Sequence, residues 1–215
     1  SLNINKNKYS DFINKRLSLN SNNLKILNSK IEKIDQKIDP VFLIGFPRSG
    51  TTLLDTILRT HKSIQVIEEK SLVDELINFL NKNTGGDLLK INKIEKKFIK
   101  ELRDFYFEKR KVFENNENKT IFIDKMPLNI FYIPELKRIF PNSKFVLAIR
   151  NPYDVVLSCF MQPFLPNDAM NNFFNLEDTA EFYNLVMKLW RKYSENISLN
   201  LHVVKYEDVV NNFDF

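Results

Sequence analysis

The sequence predicts an α/β fold: a three-layer sandwich with a central parallel sheet flanked by helices. Three observations carry that expectation. Short apolar runs with strand character alternate with longer segments of helical period, the pattern of a parallel sheet covered on both faces. The run Val41-Phe42-Leu43-Ile44 ends at Gly45 and passes through Phe46-Pro47-Arg48-Ser49-Gly50 into Thr51-Thr52-Leu53-Leu54, a tight loop opening a helix. Such a turn aims backbone N–H groups and a helix N-terminus at one point, which is how phosphate-like anions are held. Charged residues also gather where the apolar runs stop: Arg48, Glu68-Glu69, Lys125 and Arg150, with Tyr206 after the last run. In open parallel sheets ligands lie at the carboxyl ends of the strands. Three cations around a phosphate-type loop therefore define an anion site.

The loop is P-loop-like. Its spacing is that of G-x-x-x-x-G-K-[ST], except that Thr51 stands where the lysine belongs. A nucleotide kinase or NTPase would need that lysine and a carboxylate on Mg²⁺, for which Asp124 is the one tempting residue. A non-catalytic nucleotide-binding module is the other alternative. Composition narrows the field further. A chain of 215 residues suits one domain with a small appendage, and nineteen phenylalanines supply a large core. The net charge of +5 comes mostly from lysines scattered among asparagines, which reads as a solvated surface rather than a nucleic-acid groove. Cys159 is the only cysteine, so no internal disulfide framework exists and a reducing, cytoplasmic setting is expected. No run approaches the roughly 18 apolar residues of a membrane span, and no signal peptide is visible.

The elements follow in order. Tyr9, Phe12, Ile13 and Leu17, then Leu24, Ile26, Leu27, Ile31 and Ile34, predict one or two short amphipathic helices over 1–40, packed on the main domain. After the loop, Leu53, Leu54, Ile57 and Leu58 mark a helix buried on one face, with His61 as a cap or dipole partner at its end. Residues 63–67 read as a short strand ending on Glu68-Glu69. A helix runs over 71–80, and Gly85-Gly86 marks a loop. Phe98, Leu102, Phe105, Tyr106 and Phe113 place a core-facing aromatic stripe on a helix within 92–114. Residues 120–123 form a strand that ends on Asp124-Lys125-Met126-Pro127. A helical stretch follows, restarted at Pro134 as a first helical position. Phe140-Pro141-Asn142-Ser143 is a turn, and 144–149 is a strand. Asn151 and Pro152 then suit the N-cap and first position of the next helix. Residues 164–174 read as an irregular loop. Glu177-Asp178 opens a long helix with Phe182, Leu185, Val186, Leu189, Trp190 and Tyr193 on one face, and 199–204 is the last strand.

The ordered set Phe46-Pro47-Arg48-Ser49-Gly50-Thr51-Thr52-Leu53, Glu68-Glu69, Asp124-Lys125-Met126-Pro127, Phe140-Pro141-Asn142-Ser143-Lys144-Phe145, Arg150-Asn151-Pro152-Tyr153-Asp154 with Ser158, and Lys205-Tyr206-Glu207-Asp208-Val209-Val210 resembles the sulfotransferases. The resemblance spans 41–212. It is nearest to the branch holding tyrosylprotein sulfotransferases and bacterial sulfotransferases with tetratricopeptide repeats. It implies transfer of a sulfuryl group from 3′-phosphoadenosine 5′-phosphosulfate to a hydroxyl or amine, without a metal ion, leaving adenosine 3′,5′-bisphosphate. The acceptor would be a small molecule, a glycan or a peptide, and no nucleic-acid partner is implied.

By the same resemblance, Arg48, Ser49, Gly50, Thr51 and Thr52 would hold the phosphosulfate. Arg150 and Ser158 would grip the 3′-phosphate, and Tyr206 would lie near the nucleotide. Glu69 matches the general base, with Glu68 the near alternative, and Lys125 with Arg48 would stabilise the leaving phosphate. Successive residues of an extended segment point to opposite sides, so one of the two glutamates is expected to face the donor. Ser71 stands where the tyrosylprotein branch places an arginine that grips acidic peptides. The implied organisation is an N-terminal helical extension over 1–40 and a sulfotransferase domain over 41–215 lacking its C-terminal part.

Overall fold

The computed structural model describes residues 5–28, 35, 37–114 and 119–212. Five strands form one sheet: β1 (Val41–Gly45), β2 (Ile64–Glu68), β3 (Ile121–Lys125), β4 (Lys144–Ile149) and β5 (Asn200–Lys205). Their order is β2-β3-β1-β4-β5, and every neighbouring pair is parallel. The chain moves outward from β1 in one direction and later returns to build in the other. The loop after β1 therefore sits at the point where strand order reverses, the preferred ligand site of such sheets. The expected P-loop-like three-layer architecture is the observed one.

The inner strands β1, β3 and β4 are largely buried on both faces, which is why they read as apolar runs, whereas the edge strand β5 is largely exposed. Phe42 and Ile44 of β1 and Phe145 and Leu147 of β4 face the larger core. There they meet α4 (Leu72–Thr84), α6 (Lys96–Lys111), α7 (Ile133–Ile139), α8 (Pro152–Met161) and α9 (Leu176–Asn196). Phe42 stacks on Phe145 and meets Tyr106 and Phe140 edge-on or tilted, at ring separations of 5.6–6.4 Å. Leu43, Val66, Ile123 and Ala148 point the other way. Leu54 and Leu58 of α3 (Thr51–Arg59) cover them. At the amino end, α1 (Lys8–Leu17) and α2 (Ser21–Lys25) lie on α9, and Lys192 Nζ donates to the Leu17 and Leu19 carbonyls. Ile31 and Ile34 fall outside the described residues.

Ahead of β1 the chain is tied by a buried arginine. Arg103 of α6 binds Asp35 at 2.7 Å and Asp39 at 2.6 Å, and it also donates to the Ile139 carbonyl. Those charge-assisted bonds overcome the burial that opposes its charge and hold the guanidinium ionised.

Element ends differ from the sequence reading in small ways. The helix expected over 71–80 runs on to Thr84, where Gly85, at φ 64°, supplies the left-handed residue that stops it. Pro127–Tyr132 forms a 3₁₀ segment leading into α7, so Pro134 occupies the second position rather than the first. Asn175 caps α9 by accepting from the Asp178 N–H, starting that helix at Leu176. The segment read as an irregular loop over 164–174 contains a 3₁₀ turn, Met170–Phe173. The two remaining helices are α5 (Leu88–Ile91) and α10 (Tyr206–Asn211). Among the described residues no helix is long and apolar enough to cross a membrane.

Candidate active site

The β1–α3 loop needs glycine at two places. A Cβ on Gly45 would lie 2.7 Å from both the Ala148 carbonyl of β4 and Ser49 Oγ. Gly50 adopts φ 98° just before α3, and a Cβ there would meet the Tyr206 ring at 2.7 Å. Between them, Arg48 takes φ 66°, a left-handed conformation that a side chain rarely adopts. Strain of this kind, of order 1–3 kcal/mol, persists only where surroundings impose it. Here the loop is anchored beneath by Phe46 among Phe173, Phe182 and Tyr183, and Arg48 Nε donates to Ser158 Oγ of α8 at 3.0 Å. Ser49 Oγ is buried and has no hydrogen-bond partner among the described residues. Thr51 is buried at the first position of α3, and Thr52 is exposed. The first N–H groups of α3 carry no intrahelical partner, as in any helix. A cradle of unpaired donors results.

The end of β4 adds a second cation. The Arg150 guanidinium lies 4.6 Å above the Tyr206 ring, and its Nη2 approaches Asp154 Oδ2 at 3.5 Å. Its Nε is buried and has no partner among the described residues. Asn151 caps α8 as expected, accepting from the Tyr153 N–H. The Asn151 N–H in turn donates to Glu207 Oε1 at 2.7 Å, which clamps the ends of β4 and β5 together and keeps the Glu207 carboxyl below its usual range. Tyr206 is thus wedged between Gly50 and Arg150. Ser158, which the resemblance pairs with Arg150 around a 3′-phosphate, accepts from Arg48 Nε.

The third group sits at the ends of β2 and β3. Lys125 Nζ lies 2.8 Å from Glu68 Oε1 and 3.0 Å from Glu69 Oε1. Its side chain has 0% exposure, whereas the two carboxylates are 48% and 55% exposed. Extended geometry would have sent the glutamates to opposite sides. Glu69 instead takes φ 49°, breaking the alternation so that both carboxylates reach one ammonium. The Glu69 N–H bonds the Lys125 carbonyl at 2.8 Å and holds this bend in place. Burial works against the Lys125 charge, but the bonds to Glu68 and Glu69 outweigh it and raise its pKa. The Glu68 carboxyl is held below its ordinary range, chiefly by the bond from Lys125.

These elements surround one cleft of about 380 Å³. Arg48, Gly50, Thr51, Thr52, Glu69, Arg150 and Tyr206 line it. Glu68 does not: with Arg59 it lines a separate groove along the β2 edge. Sequence reasoning did not single out Leu128, Phe164 and Met170, which line the cleft together with Met126 of the Asp124–Pro127 set. Apolar side chains at element ends look like core positions, so no sequence signal marks them. Asp124, the one carboxylate weighed as a metal ligand, points away from the cleft. It is buried against Tyr106, whose hydroxyl donates to it at 2.9 Å, and burial pushes its carboxyl up to about 7. Two larger hollows, along the β2 edge and at the amino end of the sheet, lack the loop and its donors.

Fold and site together define a P-loop-like α/β protein with Arg48, Arg150 and Glu69 lining a cleft over the β1–α3 loop and Lys125 buried behind Glu69. Residues 40–214 match the model of the sulfotransferase family, and the chain belongs to that family. It is 27% identical to an uncharacterized protein of Aquifex aeolicus (strain VF5) over 71% of this chain and 21% of that protein. It is 31% identical to a putative protein-tyrosine sulfotransferase of Caenorhabditis briggsae, over 55% of this chain and 41% of that one. Against protein-tyrosine sulfotransferase 1 of Homo sapiens the identity is 27%, over 52% and 31%. The chain thus spans between 21% and 41% of the length of these curated relatives. The crystal structure of sulfotransferase STF9 from Mycobacterium avium aligns over 87% of this chain and 62% of its own, at 14% identity and a TM-score of 0.41.

Proposed function

We propose that this chain transfers a sulfuryl group from 3′-phosphoadenosine 5′-phosphosulfate to a hydroxyl or amine of an acceptor. One observation supports the reading: Glu69, Arg48 and Arg150, from three different strand ends, line a cleft floored by the β1–α3 loop, and the buried Lys125 is bound to Glu69 behind it. The residues present fit such a donor. Arg150 lines the cleft with its Nε unpaired among the described residues, and the first N–H groups of α3 open onto the same loop, donors suited to an anion. In this reading Arg48, Ser49, Gly50, Thr51 and Thr52 hold the phosphosulfate. Arg150, with Ser158, takes the 3′-phosphate, and Tyr206 packs against the nucleotide.

Glu69 then removes the acceptor proton as its oxygen or nitrogen bonds to sulfur. Lys125 and Arg48 stabilise the negative charge left on the departing phosphate, so the products are the sulfated acceptor and adenosine 3′,5′-bisphosphate. The acceptor is a small molecule, a glycan or a peptide, and the single buried cysteine suits a cytoplasmic setting.

Calorimetric titration with adenosine 3′,5′-bisphosphate, ATP and AMP tests the donor. The bisphosphate should bind most tightly, and Arg150→Ala should abolish that preference. A preference for ATP would overturn the proposal.

A further inference from the structure

Lys125 has no exposed surface, yet the cleft lies directly beyond one of its two carboxylate partners. Contact between its ammonium and anything bound there requires a carboxylate to move aside. Glu69 lines the cleft and is placed to do so. Glu68 is not free in the same way. Its second oxygen, Oε2, lies 3.5 Å from Arg59 Nη2. Arg59 is bound through Nε and Nη2 to Asp55, a buried carboxylate one turn earlier on α3. The carboxylate behind Lys125 is thereby tied to the same helix whose first turn builds the anion cradle.

We propose that Glu68 is a positioning residue: it holds the Lys125 ammonium from behind, which leaves Glu69 free to exchange that contact for the acceptor proton. This rests on reading the cleft as a sulfuryl-transfer site. The physical need is plain. A buried ammonium requires a standing counter-charge. If Glu69 were its only partner, the base would be locked in an ion pair whenever the lysine was in place. Two carboxylates divide the tasks. The charged groups around Glu69 are Glu68 and Lys125 at the strand ends and Arg48 and Arg150 across the cleft. Lys70, the following residue, reaches over Phe113 at 5.7 Å and lines the β2-edge groove.

Glu68→Gln tests the division of labour. Without Glu68, Lys125 engages Glu69 exclusively, so kcat should fall at least tenfold and the acid limb of kcat/KM should move to lower pH. Loss of one negative charge beside the cleft should leave the Kd for adenosine 3′,5′-bisphosphate unchanged or tighter. Glu68→Asp, which keeps the charge, should restore the limb, and Arg59→Met should act in the same direction as Glu68→Gln with smaller effect.

A merely structural role would weaken nucleotide binding and turnover together with no movement of the limb, and that outcome overturns the proposal. So does a kcat within twofold of wild type. A readout independent of any donor is thermal unfolding of two double-mutant cycles, Glu68→Gln with Lys125→Met and Glu69→Gln with Lys125→Met. The Glu68–Lys125 coupling should be the larger; an equal or smaller one refutes the anchor even if the donor reading itself fails.

Discussion

Asp124 makes the stability of the fold depend on pH in an unusual direction. Its carboxyl is fully buried, accepts the Tyr106 hydroxyl at 2.9 Å and meets Asn129 Nδ2 at 3.5 Å. Burial raises its pKa from 3.8 to about 7, against the bond from Tyr106, which works to lower it. In the unfolded chain the same group titrates near 3.8, so between about pH 4 and 7 the folded state binds one more proton than the unfolded state. Stability from this group is therefore full below about pH 4 and is lost as pH rises to about 7. A shift of about 3 units, at about 1.4 kcal/mol per unit, amounts to about 4 kcal/mol.

Asp124→Asn is neutral at every pH and still offers an oxygen to Tyr106, so it should lack this slope. Urea or thermal unfolding of both proteins from pH 4 to 8 isolates the term, since other carboxylates cancel in the difference. The wild-type stability relative to the variant should fall by about 4 kcal/mol over that range and flatten above pH 7. For a chain of this length that corresponds to roughly 10 °C in relative Tm. A difference that stays flat from pH 4 to 7 would refute the reasoning.

Other outcomes follow from the same geometry. Glu69→Gln should lose about 10²–10⁴ in kcat/KM with bisphosphate affinity retained, measured by steady-state transfer and calorimetry. Arg103→Met strands Asp35 and Asp39 without their shared cation, and urea unfolding should show a loss of about 3–5 kcal/mol. Gly50→Ala imposes φ 98° on a side chain and drives its Cβ to 2.7 Å from Tyr206, so both Tm and bisphosphate affinity should drop. Tyr206→Ala in that background should recover part of the Tm.

What the sequence disclosed follows from what a parallel sheet demands. Strands buried on both faces must be apolar throughout, so β1 and β4 stand out, and Arg48 and Arg150 stand out because they follow them, as Lys125 does at the end of β3. Periodicity says nothing of backbone exceptions. Glu69 at φ 49° places two neighbouring carboxylates on one ammonium, which alternation forbids. Arg48 takes φ 66° and its Nε donates to Ser158, a contact no periodicity signals. Parity explains Asp124, since in β3 it must face opposite to Lys125 and so enters the core rather than the cleft.

The loop's irregular letter also has a physical account. Thr51 is buried at the start of α3 and lines the cleft without bringing a charge into it. The charge that a lysine there would carry arrives by topology instead. Arg48 enters from the loop after β1, Lys125 from the last position of β3 and Arg150 from the residue after β4, the two strands that flank β1. Because the cations sit on three separate elements, each can be neutralised or released separately: Lys125 by Glu68 and Glu69, Arg150 by Asp154 and the Tyr206 ring, Arg48 by no carboxylate among the described contacts. A single loop lysine offers no such division. The spread of charge over three strand ends lets one carboxylate leave its cation while the other cations stay in place.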